Sequence, residues 1–324
     1  MNLYLLKFSP ILKSTIWGGN EICKFKNIEP LQDGIGESWE ISGVEGNISE
    51  VAEGELKGKK LDELIAEYKG DLVGKSVYEK FGNKFPLLIK FIDARNDLSI
   101  QVHPNDELAA ERHHSFGKTE MWYVIKAEEE AFLYSGFAKK TTPEEYVKSI
   151  DDNTFVDRLD RHKVKSGDVF FLPAGRVHAI GAGLFVAEIQ QTSNITYRIY
   201  DYNRKDAEGN TRELHTKLAK DAIDYNIYNN HKNSYTPQKD EAVLLENCQY
   251  FTSNLLELEH EQKRDYSDLD SFVVHICMKG ACTMTDNNEN TVSVKQGESI
   301  LIPANAQSVK ITPKGGVRLL ETYI

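Results

Sequence analysis

Gln101 and His103 stand two residues apart in the run LSIQVHP, Glu120 heads the run EMWYVIKA seventeen residues further on, and His178 closes the string Gly167-x5-Pro173-Ala174-Gly175-x2-His178. Residues i and i+2 of a strand share a face, so Gln101 and His103 can point into one cavity. Gly167 and Gly175 permit tight turns and Pro173 fixes one of them, just before His178. The four side chains offer an O, N, O, N donor set. Imidazole mixed with oxygen donors suits a catalytic Zn²⁺, and Fe²⁺ or Mn²⁺ fits as well. Any one of these residues alone is ordinarily a satisfied polar group; the weight rests on their combination.

The elements that must position this set read mostly as short strands. Residues 85–94, 98–104, 120–127 and 169–175 are apolar, β-branched or aromatic runs bounded by Gly, Pro, Asn or Asp. Two stretches read as helix. Residues 61–70 repeat apolar side chains at helical spacing and end on Gly, and residues 142–160 begin with Thr-Pro-Glu-Glu, a cap followed by a first-turn proline. The polar segment 204–215 reads as a loop and 229–241 as a linker.

An internal repeat organises the rest. VKSGDVFFLPAGRVHAI (164–180) recurs as VKQGESILIPANAQSVKI (294–311), with Val-Lys, Gly, an acid and Pro-Ala at the same offsets. Two copies of one β unit predict a mostly β chain of two related barrels, with a small helical insertion near 142–160. The predicted division is 1–240 and 241–324. In the second copy His178 falls on Ser308, Gly175 on Asn305 and Glu120 on Val273, so the second unit is expected to hold no metal and the chain one ion. His275 and Cys277 share a strand face there and read as core.

The bulk composition narrows the function classes. The chain has 324 residues, 40% hydrophobic and 27% charged, with a net charge of -11. A diffuse acidic balance argues against nucleic acid or an anionic membrane as partner, and means that a phosphorylated substrate must find its own local Lys or Arg. Cys23, Cys248, Cys277 and Cys282 form no CxxC pair, which points to free thiols in a reducing, cytoplasmic setting. The N-terminal MNLYLLKFSP lacks a signal sequence's apolar core, and no apolar run approaches membrane-spanning length. Oligomeric state is not legible.

The string ending at His178 resembles the second motif of the cupin superfamily, which predicts jelly-roll barrels. The resemblance sharpens over WGG (17–19), GESWEIS (36–42), LSIQVHPND (98–106), GKTEMWYV (117–124), LPAGRVHAIGAG (172–183) and EIQQTSNITYRIYDYNR (188–204): together these resemble the type I mannose-6-phosphate isomerases in their short bacterial form. The resemblance implies one Zn²⁺ held by Gln101, His103, Glu120 and His178, and Arg198 as the catalytic arginine. It implies Ser99 as a phosphate contact, and Lys118 and Glu188 near the site of proton transfer. The Gly-Leu-Thr-x-Lys segment of longer members is missing after TYRIYDYNR, and Arg204 is the expected replacement for its lysine.

The implied reaction is the interconversion of mannose 6-phosphate and fructose 6-phosphate, moving a proton between C1 and C2 through an enediolate. It needs a base, for which Glu188 and Lys118 are candidates, and cationic groups to hold the developing oxyanion. It needs no nicotinamide, and no Gly-rich dinucleotide or P-loop motif is present. Two alternatives are an iron-dependent cupin dioxygenase, which the Gln-x-His and Lys-x-Glu elements disfavour, and a non-catalytic sugar-binding cupin, which would have lost the ligands.

Overall fold

The apolar runs form the strands of three antiparallel sheets. The computed structural model describes residues 3–206 and 208–324. Met1 and Asn2, part of the segment read for a signal, and Ala207, inside the predicted 204–215 loop, lie outside the described residues. The chain is mostly β, as expected. Leu87–Ala94 is buried along its whole length and sits centrally in an eight-stranded sheet, between Ile35–Val44 and Leu184–Gln191. Leu184–Gln191 is followed in that sheet by Glu120–Ala127 and Val169–Leu172. A five-stranded sheet runs Tyr197–Tyr200, Ile100–Val102, His178–Ile180, Phe132–Phe137, Leu159–Lys163. Trp122, Val124, Phe170 and Val186 of the first sheet share one apolar cluster with Leu133 and Ile180 of the second, so the two sheets face each other.

The third sheet holds the second repeat. Its two long strands, Val273–Asp286 and Ser308–Tyr323, pair over most of their length, with register shifts near Cys277 and Gly280 that bend them. Leu6–Lys7, from the start of the chain, pairs with Ile300 and Leu301 of this sheet, and Phe85 packs on Phe272 at 4.5 Å, so the two units share a core. Among the described residues no sheet closes on itself: the architecture is of facing and bent open sheets, mostly β as expected, and the two jelly-roll barrels are not seen as closed barrels.

The helical expectations hold at their N-termini and fail further along. Thr142 caps Pro143–Asp151 in a reciprocal box with Glu145. The helix stops at the Asp-Asp-Asn sequence, where Asn153 takes φ 55°, and Phe155–Arg158 forms one 3₁₀ turn before Leu159–Lys163 becomes an edge strand. Burial of Phe155 and Leu159 outweighs the helical pattern. Leu61–Tyr68 likewise ends before Gly70, which opens a further short helix instead of closing the first. The supposed linker 229–241 is anchored: His231 is buried, and Lys232–Asn233 pairs with Val169 and Phe170.

A buried polar cluster occupies the second unit. Arg264 donates from Nε and Nη2 to the two oxygens of Glu321, each at 2.9 Å. Tyr266 donates to Glu321 at 2.7 Å and Asn254 at 2.9 Å, and the Tyr266 hydroxyl lies 2.9 Å from His275 Nε2. His275 and Glu321 are fully buried, so the reading of His275 as core holds. Burial pushes the Glu321 carboxyl up, but His275 and Arg264 outweigh it and hold the group well below the ordinary range. Removing one partner of a buried pair leaves the other charge uncompensated. Arg264→Ala is therefore expected to lower unfolding free energy by about 3 kcal/mol or more, read from urea denaturation, while turnover of the folded protein stays near wild type. An unchanged urea midpoint would show that the cluster contributes little.

Candidate metal centre and active site

The two facing sheets bring the predicted donors together. On the five-stranded sheet His178, Gln101 and Arg198 are register partners across three adjacent strands, so their side chains leave the same face in a row. On the larger sheet Trp122, Glu188 and Lys90 form an equivalent row, with Glu120 two residues before Trp122 on the same face. Gly175, at φ 89°, donates its N–H to the His103 carbonyl at 2.9 Å, which ties the turn before His178 to the end of the strand Ile100–Val102.

His103, Glu120 and His178 place one ligand atom each within 4.8 Å of one another, and all three are buried. Each histidine's Nδ1 faces a backbone carbonyl at 2.8 Å, Ile195 for His103 and Arg176 for His178. A carbonyl only accepts, so Nδ1 carries the proton and both Nε2 lone pairs turn toward Glu120. His178 Nε2 then lies 3.2 Å from Glu120 Oε1, and His103 Nε2 3.6 Å from Oε2, acceptor against acceptor. Neither buried Glu120 oxygen has a well-formed hydrogen bond. Converging lone pairs without protons between them fit a cation. The Lys118 ammonium already reaches two of them, at 2.8 Å from Glu120 Oε2 and 3.1 Å from His103 Nε2. Gln101 belongs to the same cluster, its amide nitrogen 3.4 Å from His178 Nε2; a half-turn of the amide presents oxygen instead.

The electrostatics follow from burial. It pushes the His103 imidazole well below its usual value and His178 down to about 3, with Lys118 adding to both, so both rings are neutral, the form that binds metal. Burial and the nearby Glu188 raise Glu120 to about 7. Glu188 is also raised by burial, but Lys118 and Lys90 outweigh that and hold it at about 2. Its Oε1 is 3.3 Å from Lys90 and 3.9 Å from Lys118, and its Oε2 accepts from the Trp122 indole at 2.8 Å. Lys90 also reaches Glu37 at 3.5 Å. Burial lowers the affinity of Lys90 for its proton, and Glu37 and Glu188 more than restore it.

Beside this cluster opens a cavity of about 310 Å³. Gln101, Lys118, His178, Glu188, Ser99 and Arg198 all line it, so eight of the nine predicted residues, counting His103 and Glu120 behind them, converge there with only two provisos. Ser99 spends its hydroxyl on Gln101 Oε1 at 3.3 Å. Arg198 is half-buried, donates from Nη1 to the Glu213 carbonyl at 2.9 Å, and keeps a buried Nε without partner. Arg204 does not belong to the lining. Its guanidinium is bound to Asp201 and to the Asp97 carbonyl, and it lies over Tyr202. Arg212, which the sequence did not single out, lines the cavity in its place, as do His215, Lys90, Glu37, Trp17 and Trp122. Lys90 left a signal, being a charged residue in the otherwise apolar run LLIKFI.

The second unit repeats the row with its chemistry replaced. His275, Glu321 and Asn254 stand in the register positions of Trp122, Glu188 and Lys90. Glu321 is consumed by Arg264, Tyr266 and Asn254, and Val273 and Ser308 occupy the places of Glu120 and His178.

Known proteins resemble this chain in sequence and fold. Residues 5–129 match the model of the phosphomannose isomerase type I catalytic domain, and residues 240–323 that of the mannose-6-phosphate isomerase cupin domain. Mannose-6-phosphate isomerase ManA of Bacillus subtilis strain 168 is 44% identical over 220 residues, 68% of each chain. Mannose-6-phosphate isomerase of Streptococcus mutans is 41% identical over 212 residues, 64% of each. A crystal structure of the mannose 6-phosphate isomerase from Bacillus subtilis superposes with a TM-score of 0.88 at 30% identity, covering 99% of both chains. Sequence, fold and the buried donor cluster agree, and the chain belongs to the type I mannose-6-phosphate isomerase family.

Proposed function

We propose that the chain interconverts mannose 6-phosphate and fructose 6-phosphate through an enediolate, with one Zn²⁺ held by Gln101, His103, Glu120 and His178. The observation that carries this is the convergence of the unprotonated Nε2 atoms of His103 and His178 on the buried Glu120 carboxyl beside a cationic cavity. Held by these four residues, Zn²⁺ would supply Lewis acidity without redox change. Trp17, Trp122 and Ile180 line one wall of the cavity; the open sugar would lie along it, with C1 and C2 toward Gln101 and Arg198. Glu188, Lys118 and Lys90 form the proton-handling group: one removes the C2 proton and returns it at C1, and the others keep the charge of the group fixed. Trp122 orients Glu188 through its indole N–H. Arg198 holds the negative charge that develops on oxygen.

Residues 1–240 form the catalytic unit and 241–324 a metal-free unit that packs against it. Substrate is a small hexose phosphate; nucleic acid and membrane are not partners. No helix among the described residues is long and apolar enough to cross a membrane. The cytoplasmic setting rests on the cysteines, which form no CxxC pair.

A coupled isomerase assay over several hexose 6-phosphates tests the reading. Turnover should be highest with mannose 6-phosphate, vanish after chelation and return with Zn²⁺. Oxygen uptake with bound iron would favour the dioxygenase instead, and sugar binding without turnover the non-catalytic reading.

A further inference from the structure

We infer that Arg212 recognises the phosphate of the substrate, offering one edge of its guanidinium to the cavity while Asp201 holds the other. The inference rests on the reading of the chain as a hexose-phosphate isomerase. It starts from the length of that substrate. The phosphate sits on C6, four carbons from C2, so it cannot share the pole where C1 and C2 react. Arg198 stands opposite Gln101 in register and is therefore at the reacting pole. Arg212 comes from the segment after the last strand of the small sheet, and its side chain is 27% exposed at the cavity rim.

Its hydrogen bonds define which edge is free. Nε donates to Asp201 Oδ2 at 2.8 Å and Nη2 to Oδ1 at 2.5 Å. Nη1 and the second Nη2 hydrogen make no hydrogen bond among the described residues, and they form the end-on fork that matches two phosphate oxygens. Asp201 is buried and is held in turn by Arg204, which is anchored on the Asp97 carbonyl. The fork is thus fixed before substrate arrives, which limits the ordering cost of binding. Two arginines on one carboxylate leave a positive surplus, and Arg198 adds to it. Burial first, then Arg212, lowers the proton affinity of Arg198, a sign of that surplus in a chain of net charge -11. His215 supplies a second donor: its Nδ1 accepts the Arg198 N–H at 3.1 Å, so Nε2 carries the proton at the cavity wall. Arg204 has Nε, Nη1 and Nη2 all engaged and does not line the cavity.

Steady-state kinetics on metal-loaded Arg212→Gln, Arg212→Lys and Arg204→Gln test the assignment, with inorganic phosphate as competing probe. Losing a hydrogen-bonded charge should raise both KM for mannose 6-phosphate and the phosphate inhibition constant roughly ten- to a hundredfold in Arg212→Gln, with kcat within about threefold of wild type. Arg212→Lys should recover part of the loss, and Arg204→Gln should change less than Arg212→Gln. Unchanged KM and phosphate inhibition, a kcat collapse at constant KM, or a larger effect in Arg204→Gln would each overturn it. If Arg212→Gln does not fold, as read from its thermal melt, Arg212→Lys carries the comparison, because an ammonium still pairs with Asp201. If the wild type does not turn over mannose 6-phosphate, the isomerase reading fails separately. Calorimetric titration of wild type and Arg212→Gln with inorganic phosphate then decides the role of Arg212 by itself.

Discussion

Replacing His178 by alanine is expected to remove bound metal and activity together. His178 Nε2 is one of the two imidazole lone pairs directed at Glu120, and its direction is fixed from behind by the Nδ1–H bond to the Arg176 carbonyl. Without it the site keeps His103, Glu120 and the neutral amide of Gln101, a set too weak to retain an exchangeable divalent ion. Elemental analysis should find about one metal per wild-type chain and a small fraction of that in the variant. Turnover should fall by roughly a thousandfold or more, since Lewis-acid stabilisation is worth several kcal/mol. Circular dichroism should be unchanged, because the strand His178–Ile180 stays paired on both sides. Chelated wild type should behave like the variant, but Zn²⁺ should restore only the wild type. A variant with full metal and full turnover would remove His178 from the centre, and two tightly bound metals per wild-type chain would contradict the single-site assignment.

The donor set was legible because it lies on elements the sequence displays well. Gln101 lies on a short strand and His103 directly follows it in extended sequence of period two, Glu120 opens an unbroken apolar run, and the turn before His178 needs the glycines and the proline that mark it. The partners of that set were harder to see. Glu37, Lys90 and Glu188 meet only because three strands far apart in sequence become neighbours in one sheet. Lys90 in its apolar strand is the exception that a closer reading of the pattern exposes.

The choice between Arg204 and Arg212 was beyond sequence reasoning. Both lie in one polar loop, and which of them faces the cavity is decided by the Asp97 carbonyl capturing Arg204 and by the position of Asp201. The fold shows the same limit. The edge strand Leu159–Lys163 hides behind a helical pattern, and Leu6–Lys7 finds its partner nearly three hundred residues away. Local propensity carries no information on either pairing.

Arg198 is expected to act on the transition state rather than on substrate binding, and its kinetics should be the reverse of those of Arg212. Its backbone is anchored twice by His215, whose Nδ1 accepts the Arg198 N–H at 3.1 Å and whose own N–H donates to the Arg198 carbonyl at 2.7 Å. Its side chain uses Nη1 on the Glu213 carbonyl and keeps a buried Nε–H unpartnered. A donor left without a partner inside the protein is unfavourable unless something else takes it up, and at this position, beside Gln101, the expected acceptor is the oxygen on which charge develops. A group that acts only there lowers kcat when removed and leaves KM nearly alone. Arg198→Ala should reduce kcat by roughly a hundredfold or more, as for loss of one oxyanion donor. Metal content should remain at the wild-type level, since arginine is not a ligand, which separates this loss from that of His178→Ala. Arg198→Lys should recover little, because an ammonium cannot both hold the Glu213 carbonyl and present the planar Nε–H. A raised KM at near-normal kcat in the alanine variant would move Arg198 to the phosphate pole. Arg198 and Arg212 would then form a single binding clamp, leaving the charge at the reacting carbons to the metal and the buried lysines alone.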